Sequence, residues 1–133
     1  MTLSRVHSAL SDELEQVVQR TIGCCIDVHR GLGPGLSEVV YVAACCVELE
    51  EKKIPFEREK ALPVVYRGRT LCHQRVDILV SGRVVVEVKA VDRIHPVHIA
   101  QTVSYLRLTG SKVGLIVNFN VESLRHGIRR VVL

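Results

Sequence analysis

Three charged side chains interrupt a run of β-forming residues at positions 75–90, RVDILVSGRVVVEVKA. Asp77 stands in the first apolar stretch, and Glu87 and Lys89 stand in the second. A charge inside a buried strand is costly unless it is paired or binds a metal. Carboxylate oxygens suit Mg²⁺ and Mn²⁺, and a nearby lysine suits a phosphate group. The three residues therefore indicate a site for metal-ion and phosphate chemistry.

A hairpin is the element that must position these residues. Residues 76–80 and 84–88 are rich in valine and flank a Ser-Gly pair at positions 81–82, which is typical of two strands and a tight turn. Side chains alternate along a strand, so Glu87 and Lys89, two apart, share one face.

The turn decides whether Asp77 joins that face. With a plain two-residue turn, Asp77 would point away from Glu87, because opposed residues share a face and directions alternate. A three-residue loop, with Gly82 at positive φ, supplies the odd offset and pairs Asp77 with Val85. We therefore predict two sets of side chains. Asp77, Val85, Glu87 and Lys89 face one way, and Ile78, Val80, Val86 and Val88 face the other.

The spacing Asp77-x9-Glu87-x-Lys89 resembles the motif of the PD-(D/E)xK nuclease superfamily, which has the restriction-endonuclease-like fold. Residues 35–41, GLSEVVY, resemble the GxxExxY pattern of a small bacterial family placed in that superfamily. Residues 101–105, QTVSY, resemble the QxxxY motif of RecB-like members. The resemblance runs from about residue 29 to residue 130.

The resemblance implies a metal-dependent nuclease. Asp77, Glu87 and Glu38 would supply carboxylate ligands for Mg²⁺ or Mn²⁺, and the backbone carbonyl of Val88 would be a further ligand. Such ions neutralise a scissile phosphate and lower the pKa of a bound water. Lys89 would orient or help to deprotonate that water, or offset charge in the transition state. The implied catalytic residues are Asp77, Glu87, Lys89 and Glu38.

Three further residues are predicted substrate contacts. Gln101 and Tyr105 are four apart on a helix and so share a face, which in the resemblance meets the active site. There they contact nucleic acid or hold Lys89. The alternative is a half-buried amphipathic helix with a satisfied amide. Tyr41 lies three residues after Glu38 in the first turn of another helix and is placed with them.

Other functions are compatible with the same residues. Asp77 or Glu87 could instead form a buried salt bridge with Lys89, which stabilises little. The fold could also serve as a non-catalytic module that binds nucleic acid or a protein, or as a small nucleotide or phosphate site. For an enzyme, DNA is favoured over RNA. We expect no separate sequence-reading domain in a chain of this size, so targeting would come from DNA structure, a partner protein or a homodimer.

Length and composition set further bounds. A chain of 133 residues with 47% hydrophobic residues predicts one domain with its own core, residues 1–133, preceded by a flexible arm at 1–10. There is no transmembrane-length apolar run and no signal-peptide core, so we expect a cytoplasmic protein. The formal charge of +4 permits contact with a phosphate backbone. The five cysteines lack CxxC spacing, which favours reduced, buried thiols over zinc.

The order of elements predicts an α/β fold with a mixed sheet and helices on both faces. Helices are expected near residues 11–30, 37–53 and 94–108, and strands at 62–66, 70–80, 84–89, 113–118 and 128–133. The second helix is apolar nearly all round and is expected to be largely buried. The strands at 84–89 and 113–118 should be parallel across a helix, and the last strand should be an edge.

Overall fold

The structure is a computed structural model, and it describes residues 10–133. Its elements in chain order are α1 (Asp12–Leu32), α2 (Glu38–Glu51), β1 (Phe56–Tyr66), β2 (Arg69–Val80), β3 (Val84–Lys89), α3 (Pro96–Thr109), β4 (Val113–Asn118), a short 3₁₀ turn (Leu124–His126) and β5 (Ile128–Val132). The predicted arm at 1–10 lies outside the described residues, except for Leu10, which is buried.

The sheet has five strands in the order β1-β2-β3-β4-β5. The pairs β1–β2, β2–β3 and β4–β5 are antiparallel, and β3–β4 is parallel. Parallel neighbours need a crossover connection, and α3 supplies it. The mixed sheet, the parallel pair and the edge position of β5 are therefore confirmed.

Helices cover both faces of the sheet. On one face, α1 and α2 pack on side chains that include Ile78, Val86 and Val88. On the other face, α3 packs Tyr105 and Leu106 on a second core. Its sheet residues include Leu62, Val76, Leu79, Val85 and Ile116. This layering confirms the predicted α/β, restriction-endonuclease-like architecture.

Local capping explains where the helices begin and end. The Ser11 Oγ accepts the Leu14 N–H at 3.1 Å, which satisfies a free amide at the start of α1. Gly110 ends α3 with a φ of +73°, a conformation that costs other residues more. None of the helices described between residues 10 and 133 is both long and apolar enough to cross a membrane.

One face of α2 is open to solvent, and the prediction of a largely buried helix is wrong in this respect. Tyr41, Cys45 and Leu49 are buried, but Val39 is 70% exposed and Val47 is 55% exposed. The helix has apolar residues all round, yet only the side toward α1 and the sheet has partners. Composition alone therefore overstated its burial.

The first strand is longer than predicted. β1 begins at Phe56 and pairs with β2 from Phe56↔Val80 to Tyr66↔Arg69. In contrast, β2 pairs with β3 only near Val80. The outer parts of β1 and β2 therefore form a two-stranded arm, which we call the β1–β2 ribbon and define as residues 60–76. The charged stretch at 56–61 has little β character, so pairing with β2 decides its conformation.

Four of the five cysteines are buried as predicted, and one is not. Cys24, Cys25, Cys45 and Cys46 lie between α1 and α2, with the Cys25 and Cys45 sulfurs 4.0 Å apart. Cys72 is exposed, because it lies on the β1–β2 ribbon.

Candidate active site

The register of the β2–β3 hairpin places the two central acids on one face. Val80 pairs with Val84, so the loop contains three residues, as predicted. Strand pairing ends at Ile78↔Val86, and Asp77 and Glu87 are the next residues on the two strands. The predicted odd offset is confirmed, but the predicted partner of Asp77 is wrong, because Val85 pairs with Leu79.

The turn itself explains that difference. The Arg83 N–H donates to the Val80 carbonyl at 2.9 Å, and both central residues have positive φ, +53° at Ser81 and +65° at Gly82. This pattern of signs belongs to the tight turns of hairpins. Arg83 is then the extra residue before pairing resumes. The positive φ of Gly82 is confirmed, and that of Ser81 was not predicted.

Beyond Ile78 the two strands are joined by hydrogen bonds from backbone N–H groups to carboxylates. The Asp77 N–H donates to the Glu87 Oε2 at 3.0 Å. In return, the Val88 N–H donates to the Asp77 Oδ2 at 2.8 Å. Each acid is thus held by the main chain of the opposite strand, and each keeps a second oxygen for another ligand.

The two carboxylates lie in an environment that disfavours two negative charges. Glu87 is only 4% exposed, and burial, together with the charge of Asp77, raises its pKa to about 7. Burial also raises the pKa of Asp77, while the Val88 N–H and the Lys89 charge oppose the rise. A cation bound between the acids would relieve both costs. Such paired, perturbed carboxylates are typical of functional sites.

Lys89 ends β3 on the same face as Glu87. Its charge lowers the pKa of both acids, which places it near them. Among residues 10–133, however, neither Asp77 nor Glu87 forms an ion pair with it. The structure therefore contains neither the alternative Asp77–Lys89 salt bridge nor the alternative Glu87–Lys89 salt bridge.

Glu38 comes from α2, which packs on the opposite face of the sheet from α3. It is the first residue of α2, and its Oε2 accepts the Ala90 N–H at 3.2 Å, just beyond Lys89. Its charge raises the pKa of Asp77 and of Glu87. The helix start therefore brings a third carboxylate to the rim of the pair.

The sheet is irregular at the position of Asp77. Val76 packs on the α3 side, whereas Ile78 packs on the opposite side, so the regular alternation of β2 is interrupted between them. Glu59 stands across from Asp77, between Arg58↔Ile78 and Lys60↔Val76, and has a φ of +52°. Positive φ in a residue other than glycine is strained. Glu59 was not predicted, and its charge also raises the pKa of Asp77.

The oxygen ligands here fit a hydrated divalent ion. In the described part of the chain, no three His, Cys, Asp or Glu side chains gather closely enough to hold a metal by themselves. Mg²⁺ needs fewer, because it keeps several waters and is usually bound by one or two carboxylates. Asp77 and Glu87 supply these. The Val88 carbonyl points the same way as its N–H, which is toward Asp77.

Tyr105, from the predicted Gln-Tyr face of α3, lies near the acids. It is buried, and burial, followed by the charges of Glu87 and Asp77, raises its pKa. Gln101, one turn earlier on the helix, is exposed. An open cavity of about 430 Å³ runs along this face. It is lined by Val64, Gln74, Gln101, Ser104, Tyr105, Arg107 and Leu108.

Tyr41 is not at the site surface, and its prediction as a substrate contact is corrected. Its side chain is fully buried and stacks on Phe119, with ring centroids 4.4 Å apart. Its hydroxyl donates to the Gly33 carbonyl at 2.6 Å and accepts the Leu36 N–H at 3.1 Å. The residue therefore fixes the glycine-rich loop that leads into Glu38.

A Tyr41→Phe variant tests this positioning role. We expect the free energy of unfolding to fall by about 1–3 kcal/mol, because the change leaves the Gly33 carbonyl and the Leu36 N–H without their partner. Tyr66→Phe is the matched control, since Tyr66 is 63% exposed on the ribbon, and we expect a change within about 0.5 kcal/mol. Urea titrations measure both. Equal losses of stability in the two variants would contradict the positioning role of Tyr41.

One buried residue of the site was missed by sequence reasoning. Asn118 is 2% exposed and lies beside Lys89 in the β3–β4 register. Its Oδ1 accepts the Val91 N–H at 3.0 Å and its Nδ2 donates to the Val91 carbonyl at 2.9 Å. It therefore anchors the chain that leaves Lys89. The available signal was a lone amide at the end of an apolar strand.

The raised pKa of Glu87 predicts an unusual pH dependence of stability. In metal-free protein, folded Glu87 keeps its proton up to about pH 7, whereas an unfolded glutamate loses it near its ordinary value. The folded state therefore binds more protons between those values, and the free energy of unfolding falls as pH rises through this window. In the wild type this fall in the free energy of unfolding should be about 1–3 kcal/mol, and in Glu87→Gln it should be absent.

Urea titrations at pH 5 and pH 8 in chelator, on wild type and Glu87→Gln, measure this difference. Added Mn²⁺ should reverse the trend for the wild type only, since a metal binds the ionised acid and stabilises the folded state. Parallel pH profiles for the two proteins would show that Glu87 does not carry the effect.

Comparison with known proteins agrees with this geometry. The family model described as PD-(D/E)XK nuclease superfamily matches residues 15–131. Searches of the curated proteins and of the solved structures find no match. Nucleases of this superfamily generally use divalent metals, and their activity indicates a nucleic-acid substrate. Since the match spans most of the chain and includes every residue of the site, this protein belongs to the PD-(D/E)XK nuclease superfamily.

Proposed function

We propose that this protein is a phosphodiesterase that cleaves DNA with the help of Mg²⁺ or Mn²⁺. The observation that carries the proposal is the opposed pair of Asp77 and Glu87. Each is hydrogen-bonded to the main chain of the facing strand, and Lys89 lies beside them without an ion pair to either. Burial raises the pKa of both acids, and the charge of Asp77 adds to the rise at Glu87, so the pair is costly to keep without a ligand.

Each residue has a distinct task in this proposal. Asp77, Glu87 and the carbonyl of Val88 would hold the metal, and Glu38 would contribute at the rim. The bound ion supplies charge neutralisation at the phosphate and an acidified water. Lys89 orients the attacking water or stabilises the negative charge that develops on the phosphate. The backbone hydrogen bonds that hold the carboxylates keep this arrangement in place before substrate arrives.

Gln101 and Tyr105 are proposed to line the path of the nucleic acid. Gln101 is exposed, and its amide can donate to phosphate or sugar oxygens. Tyr105, four residues later on the same helix face, is buried near the acids and supports that face from below.

We further propose that the chain is one nuclease domain of the GxxExxY branch. The pattern is satisfied at Gly35, Glu38 and Tyr41, and the two side chains have separable roles in the structure. Glu38 reaches the rim of the site, and Tyr41 fixes the loop before it. A partner protein or a second copy of the chain would supply targeting.

The direct test is cleavage of labelled DNA and RNA panels that include single strands, duplexes, flaps and hairpins. Wild-type protein is incubated with Mg²⁺, with Mn²⁺ or with chelator, beside Asp77→Asn protein purified in the same way. Metal-dependent cleavage by wild type alone would support the nuclease. Binding without cleavage under all conditions would instead support the alternative of a non-catalytic module.

A further inference from the structure

The β1–β2 ribbon holds a concentrated positive charge. Residues 60–76 contain Lys60, Arg67, Arg69 and Arg75 and no Asp or Glu. The chain has 18 Lys and Arg residues against 14 acids, a formal charge of +4. The 14 cations outside the ribbon therefore balance the 14 acids, and the ribbon holds the whole net charge.

Three of these four cations are available for a partner, whereas Lys60 is paired with Glu57 at 3.0 Å. Arg67, Arg69 and Arg75 are exposed, and in residues 10–133 none of them forms an ion pair. Apolar groups stand among them, with Tyr66 63% exposed and Leu71 62% exposed. Unpaired arginines interleaved with exposed apolar side chains are complementary to a polyanion that also offers apolar edges, as base pairs do in a groove.

The ribbon leads directly into the candidate active site. Its base is the pair Lys60↔Val76, and the next residue of β2 is Asp77. Its tip is the pair Tyr66↔Arg69, so at 3.3 Å per residue the arm is about 20 Å long. A polymer held along the arm would therefore pass the two acids.

The dimensions of the arm select the kind of polymer. The major groove of B-form DNA is about 12 Å wide and admits a two-stranded β-ribbon. The major groove of A-form RNA is deep and narrow and does not. A bulge between Val64 and Val65 leaves Leu71 as the extra residue on β2, which bends and twists the outer arm. Such a bend lets a ribbon follow the curve of a groove.

We propose that the β1–β2 ribbon inserts into the major groove of double-stranded DNA and holds the duplex against Asp77 and Glu87. This inference rests on the proposed nuclease function and adds its substrate class, B-form duplex. Arg67 and Arg69 contact phosphates at the groove walls, and Tyr66 and Leu71 lie toward the base pairs.

A competing explanation concerns the edge of the sheet. β1 is an edge strand, and charged side chains on an edge prevent pairing between copies. Charge of either sign would serve that purpose, whereas only positive charge binds DNA. Reversal of the charge therefore separates the two explanations.

The experiment measures binding of a short blunt DNA duplex in chelator over a series of salt concentrations. For Arg67→Gln/Arg69→Gln we expect about 10-fold weaker binding and a salt slope less steep by about 1.8, because two phosphate contacts are lost. Arg20→Gln/Arg30→Gln on α1 carries the same change of charge and should bind like wild type. Arg67→Glu/Arg69→Glu should keep the oligomeric state of the wild type and lose DNA binding.

Several results would overturn the proposal. One is an unchanged salt slope in the ribbon variants. Another is a loss of affinity for duplex RNA equal to the loss for duplex DNA. A third is a wild-type homodimer in which the ribbon is buried. Because binding is measured without metal, the two proposals can fail separately. Ribbon-dependent binding without cleavage in any metal would refute only the nuclease, and cleavage by the ribbon variants at wild-type rates would refute only the ribbon.

Discussion

Asp77→Asn protein is expected to lose both divalent-metal affinity, by at least about 100-fold, and turnover, by on the order of 1,000-fold, while it keeps its fold. The asparagine oxygen can still accept the Val88 N–H that now donates to Asp77 at 2.8 Å. What disappears is the negative charge, which a bound ion needs and which now raises the pKa of Glu87. The loss of repulsion between the two acids should leave the free energy of unfolding unchanged or higher.

Titration calorimetry with Mn²⁺ and cleavage assays on the same preparations measure the two losses. Asp12→Asn is the matched control, since it removes an exposed acid in the first turn of α1. It should bind metal and cleave like wild type. Unchanged Mn²⁺ affinity in Asp77→Asn would refute the metal site, whatever the effect on cleavage.

The hairpin shows how far chemistry can guide a prediction of structure. The need for Asp77 and Glu87 to share a face excludes a plain two-residue turn from the sequence alone, and the structure has a three-residue loop. The exact pairing was missed because it depends on Ser81, which takes a positive φ that its residue type disfavours. A sequence pattern therefore constrains which face of the sheet each side chain takes better than it constrains which residues pair.

Tyr41 shows the opposite limit. The pattern around Glu38 placed both residues near the site, but it could not distinguish a side chain that contacts substrate from one that supports the loop. That distinction depends on Phe119, which stacks on Tyr41 and is distant in sequence. It also depends on the Gly33 carbonyl, which becomes an acceptor only once the loop is folded.

The ribbon shows a third limit. In the sequence, the arginines of the ribbon are spaced among uncharged residues, a pattern that usually means solvated surface. Only pairing from Phe56 to Tyr66 against β2 reveals that they share one arm and that the arm starts beside Asp77. The charge was in the composition, but its arrangement comes from tertiary pairing.

The final prediction separates catalysis from binding at Lys89. Lys89→Met keeps most of the side-chain length and removes the charge, so we expect turnover to fall by about 100- to 1,000-fold with metal and duplex binding retained. The structure supports this separation, because neither carboxylate is held in place by an ion pair with Lys89. The main-chain N–H groups of Asp77 and Val88 do that work and are unaffected by the change.

Single-turnover cleavage and Mn²⁺ calorimetry measure these quantities on one protein. Metal affinity should be unchanged or slightly higher, because a neighbouring positive charge is removed from the site. Lys112→Met is the control: its residue precedes β4 at the end of the sheet remote from Lys89, and it should cleave like wild type. If Lys89→Met lost metal affinity and turnover in the same proportion, Lys89 would be a residue that maintains the carboxylate pair, and its proposed action on water or phosphate would be wrong.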